Sequence, residues 1–176
     1  MSLSVHGTLV FADLAGFTAF TAERGDAAAV ELVDLFEAEV GEVLPSTSRV
    51  VKQLGDGLFL WFPEVVPAVD AMTELVERCR LQVAAGLPMW VRVGVHVGSA
   101  LKRGDDLLGH DVNIASRVTD LAGANEVLLT EAARDAIGGD AALEPVGPVY
   151  LKGIDQPIRL FRLAGDSRVD APLRIN

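Results

Sequence analysis

Apolar residues along this chain fall alternately into short runs and helical stripes. Thr8 to Ala12 is a compact apolar run, so residues 7–12 are predicted as a buried strand that ends at the turn-prone Ala15-Gly16. A short helix is expected from Phe17 to Arg24. Gly25-Asp26 breaks it, with Asp26 as N-cap of a longer helix. Val30, Leu32, Val33, Leu35, Phe36, Val40 and Val43 recur there at helical spacing, and Pro45 lies beyond the end. Val50 to Leu54 and Leu58 to Phe62 flank Gly55-Asp56-Gly57 and read as a β-hairpin, because Asp-Gly suits a tight turn. Pro63 and Pro67 mark a loop before a helix over 67–85, whose apolar side carries Val69, Met72, Leu75, Val76, Cys79 and Val83. Trp90 to Val97 alternates, with Val91, Val93, Val95 and Val97 on one face. A polar loop over 102–106, a helix within 109–121 and a short strand from Val127 to Leu129 follow. Thr130 caps a helix over 131–137, and strand-like runs lie near 149–151 and 158–163. This order predicts an α+β sandwich on a ferredoxin-like βαββαβ core with a C-terminal αβ extension.

Composition narrows the class. A chain of 176 residues, half of them apolar, fits one domain with a substantial core. Residues 7–163 are expected to form it, with a lead over 1–6 and a tail over 164–176. The net charge of −10 argues against binding nucleic acid or an anionic membrane, which takes clustered Lys and Arg. A nucleotide substrate stays compatible, since local cations set the field inside a cleft. The single cysteine, Cys79, excludes an intrachain disulfide and points to a cytoplasmic setting. No apolar stretch approaches the ~18 residues of a membrane span. The N-terminal Met-Ser-Leu-Ser-Val-His-Gly does not read as a signal peptide.

Candidate chemistry starts with two aspartates. Asp13 follows the first strand, and Asp56 sits in the hairpin turn. Singly, each is explained by a cap or a turn. Held together, two carboxylates repel unless a cation lies between them, which suits Mg²⁺ working with phosphates. Further along, Asn113 and Arg117 are i and i+4 on a helix and project from one face. Arg offers a permanently charged fork for phosphate, and Asn a neutral amide. Lys52, Asp106 and Lys152 would singly pass for solvated strand and loop residues.

In order, these segments resemble the catalytic domain of the class III nucleotide cyclases over about residues 7–163. Phe11 to Thr18 is similar to F-x-D-x-x-G-F-T. Lys52-Gln53-Leu54-Gly55-Asp56 is similar to K-x-x-G-D, and Gly109 to Arg117 to G-x-x-V-N-x-A-S-R. Leu151-Lys152-Gly153, with Pro157 to Leu160 after it, resembles the bacterial C-terminal run. The resemblance implies a class III cyclase-type sandwich and an adenylate cyclase that makes cyclic AMP and pyrophosphate from ATP. Asp13 and Asp56, with Leu14 in the same metal set, would hold two Mg²⁺ or Mn²⁺ ions. These ions would activate the ribose 3′-hydroxyl and bind the β- and γ-phosphates. Lys52 and Asp106 would read adenine, Asn113 would orient the ribose, Arg117 would stabilise charge at the α-phosphate, and Lys152 would hold the triphosphate. The resemblance also implies a homodimer, each site taking its metal aspartates from one subunit and the remaining groups from the other.

Departures from the pattern bear on this. The stretch between Gly98 and Asp106 is short, which weakens the expected dimer arm. Ser99 stands where some relatives carry an arginine, with Lys102 or Arg103 as substitutes. Asp105 competes with Asp106 for the base-reading position. A guanylate cyclase is disfavoured by Lys52 and Asp106, a diguanylate cyclase lacks its G-G-D/E-E-F signature here, and a catalytically weak or inactive nucleotide-binding or dimerisation module is the remaining alternative.

Overall fold

A computed structural model describes residues 3–139 and 141–164 of the chain. Thirteen elements follow one another: β1 (Ser4–Leu14), α1 (Phe17–Arg24), α2 (Asp26–Val43), β2 (Arg49–Gln53), β3 (Gly57–Phe62), α3 (Val65–Ala84), β4 (Val91–Arg103), β5 (Asp106–Leu108), α4 (His110–Leu121), β6 (Glu126–Thr130), α5 (Glu131–Ile137), β7 (Leu143–Val149) and β8 (Ile158–Leu163). The sheet runs β2-β3-β1-β4-β6-β8-β7, with β5 folded back on β4. The first four strands in that order form the expected ferredoxin-like core. β4 and β6 are parallel, and α4 makes the crossover between them.

The central strands are two-faced. Val10, Ala12 and Leu14 of β1 and Val91, Val93 and Val95 of β4 enter the main core beneath α2 and α3, against Phe36, Val40, Met72 and Leu75. Cys79 lies in this core, fully buried, and burial pushes its thiol up to about 12. Glu39 of α2 is a buried carboxylate. It accepts hydrogen bonds from Arg78 Nε at 2.5 Å and Gln82 Nε2 at 2.7 Å of α3, so its burial leaves no carboxylate oxygen unpaired.

The opposite face of β4 carries Arg92, Gly94, His96, Gly98 and Ala100. Two of these positions admit no side chain. A Cβ on Gly94 would meet the Thr119 side chain, lying 2.6 Å from the Thr119 nitrogen and 2.9 Å from the Ala115 oxygen, and one on Gly98 would strike Asp111. The glycines therefore let α4 lie directly on the strand, where Val112 and Ala115 pack with Leu9, Phe59 and Leu107.

Several boundaries differ from expectation. Gly25, not Asp26, occupies the α2 cap position; its φ of 86° turns the chain abruptly from α1, and Asp26 is the first helical residue, where its charge suits the helix N-terminus. α3 starts at Val65, because Pro67 falls in its first turn, where an N–H is not needed. The expected 102–106 loop is the β4–β5 hairpin, pairing Arg103 with Asp106. The strand expected near 149–151 lies at 143–149. Its Pro145, Gly147 and Pro148 hide it in the sequence, yet they are tolerated at the sheet edge beside a bulge. The first strand reaches back to Ser4, and the tail assigned to 164–176 falls, after Ala164, outside the described residues. Thr130 caps α5 as expected, accepting from the Ala133 N–H at 3.3 Å.

Candidate active site

Alternation along β1 puts Asp13 on the same face as Leu9 and Phe11, away from the α2–α3 core. Its cross-strand neighbours are Gly57 on β3 and Arg92 on β4. A Cβ on Gly57 would sit 2.9 Å from the Asp13 Cβ, so glycine keeps that flank open. On the other flank Arg92 makes a bidentate pair. Its Nε donates to Oδ1 at 2.7 Å and its Nη2 to Oδ2 at 2.9 Å, with both side chains 23% exposed.

Asp56 stands in the β2–β3 turn, and its backbone oxygen accepts from the Leu14 N–H at 3.1 Å. That bond ties the turn to the end of β1, so Asp13 and Asp56 line one cleft of about 90 Å³, with Gly57, Ser116 and Asp120. Phe11, which also lines the cleft, stacks on Phe59 with ring centroids 4.4 Å apart. Burial pushes the Asp13 carboxyl above its ordinary value. Arg92 pulls it back, and Asp56 and Asp120 add to the rise. The rise despite so close a guanidinium shows that desolvation outweighs the pair.

The donor set suits a hard divalent ion. Three carboxylates, Asp13, Asp56 and Asp120, line one cleft, and among the described residues no group of three or more His, Cys, Asp or Glu is placed to hold a metal together. Mg²⁺ takes one or two carboxylates and completes its shell with water and phosphate, so the residues fit it. Leu14 can take part only through its backbone, since its side chain is buried in the core.

Lys52 and Asp106, far apart in sequence, meet: Lys52 Nζ donates to Asp106 Oδ2 at 2.8 Å, and Asp106 Oδ1 accepts from the Leu107 N–H at 2.9 Å. The Lys52 contact holds the Asp106 carboxyl below its ordinary value. Asp105 is engaged differently, its backbone oxygen accepting from Arg49 Nη1 at 2.9 Å, so Asp106 is the aspartate paired with Lys52. Asn113 and Arg117 are exposed on α4, and Arg117 lies 3.7 Å from Asp120. Lys152 is exposed in the turn between β7 and β8, three residues past the strand expected to end with it. None of these five residues lines the Asp13–Asp56 cleft.

Arg92 and Asp120 escaped the sequence reading. The signal for Arg92 was present: it occupies the even-numbered face of a strand whose odd positions from 91 to 97 are all valine. His96 on that face is buried, with Nδ1 2.7 Å from Thr130 Oγ1 and Nε2 3.5 Å from Asp111 Oδ1. Burial lowers its pKa, against the pull of Asp111. His96 thus links β4 to the start of α4 and the cap of α5. Ser99 hydrogen-bonds His6 at 3.1 Å, and Lys102 and Arg103 are exposed on the β4–β5 hairpin.

Comparison with known proteins draws these features together. An uncharacterized protein of Mycobacterium tuberculosis is 32% identical over 168 residues, covering 95% of this chain and 43% of the relative. A pH-sensitive adenylate cyclase of the same species is 34% identical over 165 residues, covering 89% of this chain and 40% of the relative. The chain thus spans less than half the length of these relatives. The crystal structure of the adenylyl cyclase CyaB from P. aeruginosa superposes with a TM-score of 0.84 at 20% identity, covering 96% of this chain and 98% of that one. The model of the adenylate and guanylate cyclase catalytic domain matches residues 4–165, from the first residue of β1 to just past β8, and the chain belongs to that family.

Proposed function

We propose that this domain is an adenylate cyclase, converting ATP to 3′,5′-cyclic AMP and pyrophosphate in a site shared across a homodimer. The observation that carries the choice of base is the Lys52–Asp106 contact at 2.8 Å. It sets a donor and an acceptor side by side, the pattern complementary to the ring nitrogen and exocyclic amine of adenine. Guanine presents the reverse pattern, and the polar groups would be left unpaired against it.

Asp13 and Asp56 would hold two divalent ions. Bound there, Mg²⁺ or Mn²⁺ would supply activation of the ribose 3′-hydroxyl and charge neutralisation on the phosphates. Asn113 orients the ribose, Arg117 meets the charge developing on the α-phosphate, and Lys152 holds the triphosphate. Within one subunit none of these groups lines the Asp13–Asp56 cleft, and Arg117 comes no nearer than its pair with Asp120 at the cleft wall. That separation supports a site completed by a second copy.

Purified chain is incubated with Mn²⁺ and either ATP or GTP, and cyclic product is measured against protein concentration. Cyclic AMP is expected, with specific activity rising as dimers form. No cyclic product from either nucleotide at dimer-forming concentrations would leave a non-catalytic module as the better account.

A further inference from the structure

We propose that Arg92 is the resident counter-ion of Asp13 and competes with divalent cations for that carboxylate, so that it sets how tightly the cleft binds metal. This rests on the metal role proposed for Asp13 and Asp56.

Three observations carry it. The pair is two-pronged, with one N–H on each carboxylate oxygen at 2.7 and 2.9 Å. Such forks are the strongest of the charge-assisted bonds, and at 23% exposure on each side chain solvent screens this one incompletely. Second, Arg92 is anchored by register: it lies directly across from Asp13 on β1 and from Glu126 on β6. Third, the alternative partner is engaged. The Glu126 carboxylate accepts from the Gly123 N–H at 2.6 Å and pairs with Arg162 at 3.2 Å. Charge therefore alternates across the strands, Asp13, Arg92, Glu126, Arg162, and Arg92 has Asp13 as its own carboxylate.

A divalent ion arriving at Asp13 meets a guanidinium already on both oxygens. It must either draw the carboxylate away or bind beside a positive charge, and both outcomes weaken it. Nucleotide phosphates bring the negative charge that offsets this. The cleft is thereby biased to take up metal together with nucleotide rather than before it.

The opposite role for Arg92 is that of a positioning residue that holds the Asp13 rotamer for the metal. The two differ in sign. Removing a supporting partner typically weakens metal binding about 10–100-fold, whereas removing a competitor tightens it. Mn²⁺ binding is measured by electron paramagnetic resonance of the free ion, without nucleotide, on the full chain and on its Arg92→Gln and Arg92→Lys variants. Arg92→Gln is expected to bind Mn²⁺ about tenfold more tightly. Arg92→Lys, which keeps the charge and loses the fork, should fall between the two. Adding Asp13→Asn to either protein should abolish the difference.

Arg92→Gln also removes the partner of a half-buried carboxylate, so its melting temperature is expected to drop and to recover more than the parent's when Mn²⁺ is added. Should Arg92→Gln misfold, the Arg92→Lys titration and the melting shift decide. Unchanged or weaker Mn²⁺ binding in both variants overturns the proposal, as does a parent and variants that all ignore Mn²⁺. Cyclic product formation by the parent, assayed separately, tells whether the cyclase reading survives such a result.

Discussion

At the scale of single residues, the Lys52–Asp106 contact does something neither residue can do alone. An exposed lysine and a partly exposed aspartate each carry several rotamers, and each alone would present an ill-defined edge to a ligand. Paired at 2.8 Å, with Asp106 also fixed by the Leu107 N–H, they present one donor and one acceptor in a set order. Exchanging Lys52→Glu together with Asp106→Cys reverses the order of donor and acceptor. The ratio of kcat/KM for ATP to that for GTP is expected to fall by at least about tenfold, since one unpaired polar group is worth about 1–3 kcal/mol. Steady-state kinetics with both nucleotides measures it, and an unchanged ratio would remove these residues from base selection. Both residues were visible in the sequence through their motif spacing. Their contact was not, because 54 positions separate them and only the β4–β5 hairpin swings Asp106 toward β2.

Elements show where the pattern of the chain carries information and where it conceals it. Strands with a clean period of two, such as β4 over 91–97, were legible because one face is buried under helices and demands valine. β7 was misplaced because its two prolines and a glycine argue against a strand, and only its edge position, where one side needs no ladder, reconciles them. The polar face of β4 was legible in retrospect alone. Arg92, Gly94, His96 and Gly98 look like gaps in an apolar strand until α4 is laid against them. The packing there is tight enough to test. Gly94→Ala would drive a Cβ into the backbone of α4 at Thr119 and Ala115, atoms that cannot rotate aside. Overpacking of this kind costs typically about 1–3 kcal/mol. Urea denaturation should report that loss, and product formation should fall with it, because α4 also carries Asn113 and Arg117. A stability within about 0.5 kcal/mol of the parent would mean that α4 shifts on β4 with little resistance.

For the whole molecule, the absence of Asn113 and Arg117 from the lining of the Asp13–Asp56 cleft leads to a complementation experiment. Asp13→Ala and Arg117→Ala should each be nearly inactive as homodimers. Mixing them should restore activity, since one of the two sites in a mixed dimer draws both halves from unaltered residues. With half of the dimers mixed and one good site in each, about a quarter of the parent activity is expected. If mixing restores nothing while size-exclusion chromatography shows mixed dimers, the shared site is wrong. The residues that this proposal uses come from motifs taken in order. The ion pair on Asp13 does not, because no motif spacing joins residue 13 to residue 92, and only the antiparallel register of β1 and β4 does.

The chain's one cysteine, Cys79, lies fully buried with its thiol pushed up to about 12. A thiol so far from ionising, with no solvent contact, is inert to alkylating probes at neutral pH. The native chain therefore supplies a silent background for site-directed labelling. A single cysteine placed at exposed Tyr150 or in the β4–β5 hairpin would carry the only reactive thiol, and spin labels there would read whether two copies associate with no native sulfur removed.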